Sequence, residues 1–293
     1  MSAFSFLYRK AAEGPTSTDI TDGGKVVLPN SAEGRKFFRK RSIFIVILAV
    51  GFIAINALSG AAVDFDFIAA VLDFPSAIVW MATNFIPTVE SLEKIPQILS
   101  ALLSTVLSAV ASSVVGAIFA YVLAVLGCRT VGIGGPTSII VRAIASVFRN
   151  IPPVAWAFIL LFSFNQSEFT GFLVLFLGSF GYLTRCFLET LDEISTGVIE
   201  ALRSTGASYL QIVVQAVIPL SITSVVSWLL YMVETNIRDA TLVGILTGTG
   251  IGFVFNVYYK SFDYGVTAII LLFIIVVVIA CEATSNYVRR QII

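Results

Sequence analysis

The feature that most constrains this chain is a series of apolar runs, each about as long as a bilayer is thick. A spanning helix needs roughly 20 apolar residues to cross about 30 Å of hydrocarbon. Runs of that kind are predicted near 42–62, 97–126, 148–165, 169–188, 212–234 and 266–288. Of the 293 residues, 57% are hydrophobic and only 12% charged, against about a quarter charged in soluble domains. A single soluble core of this size cannot bury so much apolar surface. The expectation is an all-α membrane protein with about six transmembrane helices. The segment from Phe65 to Ser91 is apolar as well, but Pro75, Pro87 and several acids predict an outer loop with an interfacial segment there.

The same composition excludes several function classes. Formal net charge is zero, so nothing points to a nucleic-acid partner. Histidine is absent, which removes Ser-His-Asp and Cys-His catalysis. Cys128, Cys186 and Cys281 are far apart and form no CxxC pair, so neither a disulfide framework nor a metal site is expected. The chain is read as a transport subunit and not as an enzyme.

Residues 1–41 are polar and end in the basic cluster Arg35, Lys36, Arg39, Lys40 and Arg41, which predicts a flexible tail reaching the membrane surface. The first apolar stretch begins only at Ser42, so it reads as a retained helix. Of 18 Lys and Arg, all but Lys94, Arg238 and Lys260 fall on the side of that tail. By the positive-inside rule both termini are expected to be cytoplasmic. Residues 42–96 form the first helix and outer loop, and 97–290 the main core, with a cytoplasmic segment at 190–210.

Within the second run, Ser100, Ser104, Ser108, Ser112, Gly116, Ala120 and Ala124 recur every four residues. Such a row makes a ridge on which a neighbouring backbone packs closely. A packing surface is expected, with pore lining by the serines as the alternative.

The segment 190–210 carries the most information. Ser195 or Thr196 is placed to cap a short helix through Ala201 and Arg203, and Gly206 to end it. Glu200-Ala201-Leu202, three residues, Gly206, nine residues, then Ala216-Val217-Ile218-Pro219 resembles the EAA motif of ABC importer permeases. Three apolar positions depart from that motif, Leu202, Ala216 and Ile218, and its spacing is kept. The resemblance implies a type I ABC importer permease fold in a prokaryotic plasma membrane. It implies that Glu200, Ala201, Leu202, Gly206 and Pro219 couple the chain to separate ATP-binding cassette ATPase subunits. Further partners implied are an extracytoplasmic substrate-binding protein and a second permease copy in a homodimer, with lipid around them. ATP and Mg would be held by the partner ATPase, and no cofactor by this chain. No Gly-x-x-x-x-Gly-Lys-Ser/Thr sequence occurs here.

A second likeness narrows the family. Leu230 to Gly244 with Gly248-Thr249-Gly250-Ile251-Gly252, and Arg149-Asn150-Ile151-Pro152 with Trp156, are similar to segments of phosphonate-type permeases. That likeness implies a cargo of phosphonate, phosphite or phosphate. Physically, Glu234 and Arg238 are four apart with Glu first, the favourable order on a helix. Ionisable groups in a span are functional candidates by default. Together with Asn236 and the glycines Gly248, Gly250 and Gly252 they form the predicted translocation pathway, where a helix break offers donors to an oxyanion. Mutual neutralisation of Glu234 and Arg238 is the competing reading. Arg142 and Arg149 share one helical face before Pro152-Pro153 turns the chain inward, and a gate-proximal role for Arg149 follows only from the resemblance. The alternative for the whole chain is an ion-coupled secondary carrier or channel, with Glu234 and Arg238 as the ion site.

Overall fold

The computed structural model describes residues 31–132, 134–193 and 196–292. Those residues form helices α1 (Ser31–Ala62), α2 (Phe67–Asn84), α3 (Val89–Leu92), α4 (Ile95–Gly127), α5 (Gly135–Asn150), α6 (Pro153–Phe164), α7 (Glu168–Asp192), α8 (Thr196–Ser204), α9 (Tyr209–Ile212), α10 (Ile218–Thr247), α11 (Gly250–Lys260) and α12 (Tyr264–Ile292). A π-helical turn, Val213–Val217, joins α9 to α10. Among the described residues six helices or helix runs are long and apolar enough to cross a bilayer: Arg39–Ala62, Phe67–Asn84, Ile95–Gly127, Glu168–Asp192, Tyr209–Thr247 and Tyr264–Gln291. The number matches the expectation of about six, and the bent pair α5–α6 makes seven if it is one broken span.

Two segments differ from the expectation in their local structure. Phe67–Asn84, expected to be an outer loop with an interfacial segment, is one continuous 18-residue helix containing Pro75. The expected span 148–165 is instead broken: α5 and α6 meet at 91°. The cause is local. Ile151 precedes Pro152 and is extended (φ −89°, ψ 117°), and Pro152 precedes Pro153 and is extended too (φ −61°, ψ 149°). A residue before proline is pushed out of the helical region, so two consecutive cases end one helix and start another. At 12 residues, α6 rises about 18 Å and cannot cross the bilayer alone.

The flexible-tail expectation for residues 1–30 lies outside the described residues. Residues 31–41, expected to belong to the tail, are instead the first turns of α1. The chain divides into two units, residues 1–76 and 77–293.

In the second unit α7 is the central element, packed against α4, α5, α6 and α10. Hydrocarbon gives helices no hydrophobic reason to associate, so close packing and polar ties must hold them. The row of small residues on α4 supplies part of this. Ser112, Gly116, Ala120 and Ala124 are buried, and a Cβ on Gly116 would stand 2.9 Å from Ser179 Cβ on α7. Three apolar clusters fill the bundle from end to end. Ile98, Ile251 and Ile270 lie at one end, Ala109, Val174 and Val243 in the middle, and Leu183, Phe187, Ile199 and Val217 at the other end.

Where α10 gives way to α11 the two backbones nearly touch. A Cβ on Gly252 would overlap the Thr241 carbonyl oxygen and stand 2.8 Å from Ile245 N, and Gly244 lies 3.3 Å from Gly252 Cα by the same measure. Overpacking a tight site typically costs about 1–3 kcal/mol. Gly252→Val is therefore expected to lower the thermal unfolding midpoint of the detergent-solubilised protein by several degrees. An unchanged midpoint would contradict the close approach.

Candidate functional site

The site begins with two short helices at the α8 end of the bundle. Helix α8 closes with two backbone hydrogen bonds, Gly206 N to Arg203 O at 3.0 Å and Ala207 N to Leu202 O at 3.2 Å. This is the Schellman arrangement, which needs a left-handed residue past the last turn. Gly206 supplies it at φ +81°. Ser208 then caps α9, its backbone N–H donating to Gln211 Oε1 at 2.7 Å. The root of α8 is apolar: Ile199 is buried in the core with Leu202 packed against the same cluster. Glu200, Ala201, Arg203, Ser204 and Gly206 are exposed. The pair of helices is thus anchored by one face and open to a partner on the other. Of the two predicted caps, Ser195 lies outside the described residues, and Thr196 is the first residue of α8.

Pro219 sits at the start of α10, just past the π turn. It has no N–H for the carbonyl of Gln215, and an inserted residue in the helical register is one way to accommodate that loss. From Tyr209 to Thr247 the run is 39 residues long, roughly 58 Å at the helical rise. The fifth span therefore extends well past the expected end at 234, and Glu234 and Arg238 lie within it instead of at its edge. They form an ion pair of 3.0 Å in which Arg238 is the exposed half, at 46%, and Glu234 the covered half, at 11%.

Asn236 is separated from that pair. It is buried, and its amide nitrogen donates to Ser179 Oγ at 2.6 Å and Ser113 Oγ at 2.8 Å, with Ser112 Oγ at 3.5 Å. Ser113 and Ser179 each donate their own proton to a carbonyl of their helix, Ala109 O and Leu175 O, which leaves oxygen lone pairs for the amide. The residue expected to line a pathway instead ties α4, α7 and α10 together in this structure.

The glycines lie far along the chain, at the opposite end of α10. Gly248 (φ +70°) and Gly250 (φ +57°) form the turn into α11. The amides predicted to meet an oxyanion are largely engaged within the fold. Those of Gly248 and Thr249 donate to Gly244 O, and that of Ile251 to Thr105 Oγ1 at 2.8 Å. Gln166 Nε2 bonds Leu246 O nearby at 3.2 Å. The turn borders a cavity of about 480 Å³ whose lining includes Ser100, Ser104, Ser167, Glu168, Thr249 and Phe253. Its one charged residue is Glu168, and Ser104 Oγ lies 3.2 and 3.1 Å from the two carboxylate oxygens. An oxyanion held by the glycine turn would face a carboxylate, so the geometry disfavours that part of the predicted pathway.

The serine row divides accordingly. Ser112 is packed, whereas Ser100, Ser104 and Ser108 line a second open groove beside Glu168, Phe169 and Phe172. Sequence reasoning singled out neither Glu168 nor the tie between Asn236 and the serines. A four-residue spacing shows which residues share a face but not what that face meets. Arg149 is exposed in the last turn of α5. Its backbone lies against α7, where a Cβ on Gly181 would stand 2.6 Å from Arg149 N.

Residues 116–292 match the family described as "Binding-protein-dependent transport system inner membrane component". The chain is 28% identical over 152 residues to the phosphate-import permease protein PhnE of Mycolicibacterium smegmatis, which covers 52% of this chain and 29% of that protein. It is 31% identical over 121 residues to a putative cryptic phosphonate transport system permease, PhnE2, of Escherichia coli, covering 41% of this chain and 99% of that one. The fold is shared with the permease chain of an inward-facing MetNI methionine ABC transporter, at a TM-score of 0.56 and 21% identity, over 67% of this chain and 98% of that one.

The Asn236 tie is open to a direct check. Interhelical hydrogen bonds in membranes average about 0.6 kcal/mol and reach about 1.7, and this amide makes two good ones. Asn236→Ala is expected to cost about 1 kcal/mol in unfolding from mixed micelles. Thr235→Ala next to it, whose hydroxyl bonds only Tyr231 O of its own helix, should cost far less. Equal effects would contradict the tie.

Proposed function

Because this chain belongs to the family of binding-protein-dependent transport system inner membrane components, we propose that it is the permease subunit of an ATP-driven importer. Its proposed cargo is phosphonate or a related phosphorus oxyanion, phosphite or phosphate. The observation that carries the permease reading is the α8–Gly206–α9 element. It is anchored by Ile199 and Leu202 and exposes Glu200, Ala201 and Arg203 to a partner. On this reading two ATP-binding cassette ATPases dock there and bind ATP and Mg, and their closure moves the helices of a permease homodimer. A binding protein delivers cargo at the Glu168 end. The distribution of basic residues supports a cytoplasmic position for α8 and both termini.

Support for the cargo is of two kinds. The two relatives are named for phosphate and phosphonate, although a methionine transporter shares the fold. Arg238 presents the exposed half of its ion pair, and a guanidinium matches phosphorus oxyanions by geometry and charge. Arg238, and not the glycine turn, is the proposed anion contact. Glu234 holds it in place.

Gly206→Val tests the coupling role. A β-branched residue is strongly disfavoured at φ +81°, so the cap of α8 should be lost. The expected result is at least a tenfold loss of uptake and of co-purification with the ATPase, with unchanged amounts in the membrane. Full uptake and association by this variant would overturn the docking role of the element.

A further inference from the structure

We propose that Asp192 is a positioning residue whose carboxylate latches the docking element to α5, so that displacement of α8 is carried to the α5–α6 bend. The inference rests on the importer reading. It goes beyond that reading by naming the contact through which motion passes.

Asp192 ends α7, just before the start of α8 at Thr196. Its two carboxylate oxygens join different segments. Oδ2 accepts from Arg142 Nη2 of α5 at 2.5 Å, and Oδ1 accepts from the backbone N–H of Arg129, past the end of α4, at 2.7 Å. Beside them the Thr130 hydroxyl donates to Leu191 O at 2.8 Å, and Arg203 of α8 donates to Thr130 O at 3.4 Å. Four segments therefore meet at this point: the end of α7, α8, the α4–α5 turn, and α5. Arg142 Nε is directed at Ser138 Oγ, 3.3 Å away, which orients the guanidinium. Asp192 and Arg142 are each about one-fifth exposed, at 22% and 21%, so water screens their attraction less than at an open surface. The other pair at this end, Arg185 with Glu189, is more exposed and lies within one helix. Among the described residues it bridges no second helix.

What α5 receives from this latch it is built to pass on. At one end a Cβ on Gly127 would stand 2.6 Å from Val141 Cβ, and at the other a Cβ on Gly181 would stand 2.6 Å from Phe148 Cβ. Held against α4 at Gly127 and against α7 at Asp192 and Gly181, α5 has little freedom to move apart from these two helices. Directly after Phe148 comes the 91° bend into α6, whose Ala157 is buried in the middle of the bundle beside Ile237 and Ala240. A shift at Asp192 thus reaches the helix layer that contains Glu234 and Arg238.

The test needs no knowledge of the cargo. Spin labels are placed at exposed positions on α5 and α8, Ile139→Cys and Val198→Cys, with the native cysteines replaced. The chain is reconstituted with its ATPase, and distances are read by pulsed EPR without nucleotide and with ATP plus vanadate. If the latch holds, the α5–α8 distance stays within about 2 Å while distances to other helices change. Asp192→Asn should let it shift or broaden by about 5 Å, the scale of one helical turn. Arg142→Gln should do the same, and supplies the reading if Asp192→Asn fails to insert. Arg142→Lys, which keeps the charge, should retain most of the wild-type behaviour. Variants whose α5 and α8 still move as one would overturn the latch while leaving the importer reading intact. A wild-type complex in which no distance responds to ATP would instead contradict the importer reading.

Discussion

In the hydrocarbon interior the Asn236 amide has no water to receive its protons, and two serine oxygens on two other helices receive them instead. That arrangement depends on α4, α7 and α10 lying close enough for short side chains to meet. The closeness depends in turn on Gly116 and its neighbours, which let α4 approach α7 without a Cβ in the way. Apolar residues alone would let the helices slide, since lipid tails are as good a neighbour as leucine. The directional bonds at Asn236 choose one register, and the rest of the bundle is built outward from it.

Its two ends are chemically unlike. One carries Glu168 with serines and threonines around open space and no cation in the lining. The other carries the arginine-rich network around Asp192 and the projecting α8–α9 element. Between them the Glu234–Arg238 pair lies inside the long fifth span, with the guanidinium outward. A permease needs this kind of polarity: one end that admits cargo, one that receives force, and an ionisable layer between. The proposed anion contact fits Arg238 better than the glycine turn, because a carboxylate borders the turn and its amides are largely engaged.

The α8–α9 element was legible in the sequence because its chief determinant is local: a glycine, Gly206, placed to end one short helix and start the next. So were the apolar runs and the favourable order of Glu234 and Arg238. Boundaries were less legible. Hydropathy does not register that Ile151 and Pro152 must both be extended, so the predicted span 148–165 concealed a right-angled break. Pro75, taken with Pro87 and several acids as a reason against a span between Phe65 and Ser91, is accommodated within one continuous helix. Pairings distant in sequence could not be read at all. Nothing near Asp192 announces Arg142, nor does anything near Glu168 announce Ser104, and Asn236 looked like a pathway residue until the serines facing it were known.

The central claim is that ATP hydrolysis on a partner drives a phosphorus oxyanion through this chain. It is tested most directly in proteoliposomes containing the chain, its ATPase and its binding protein, with phosphate, phosphite and methylphosphonate offered singly. The account predicts accumulation of at least one of them that requires ATP and persists when proton and sodium gradients are collapsed. Accumulation that needs an ion gradient and proceeds without the ATPase would contradict it.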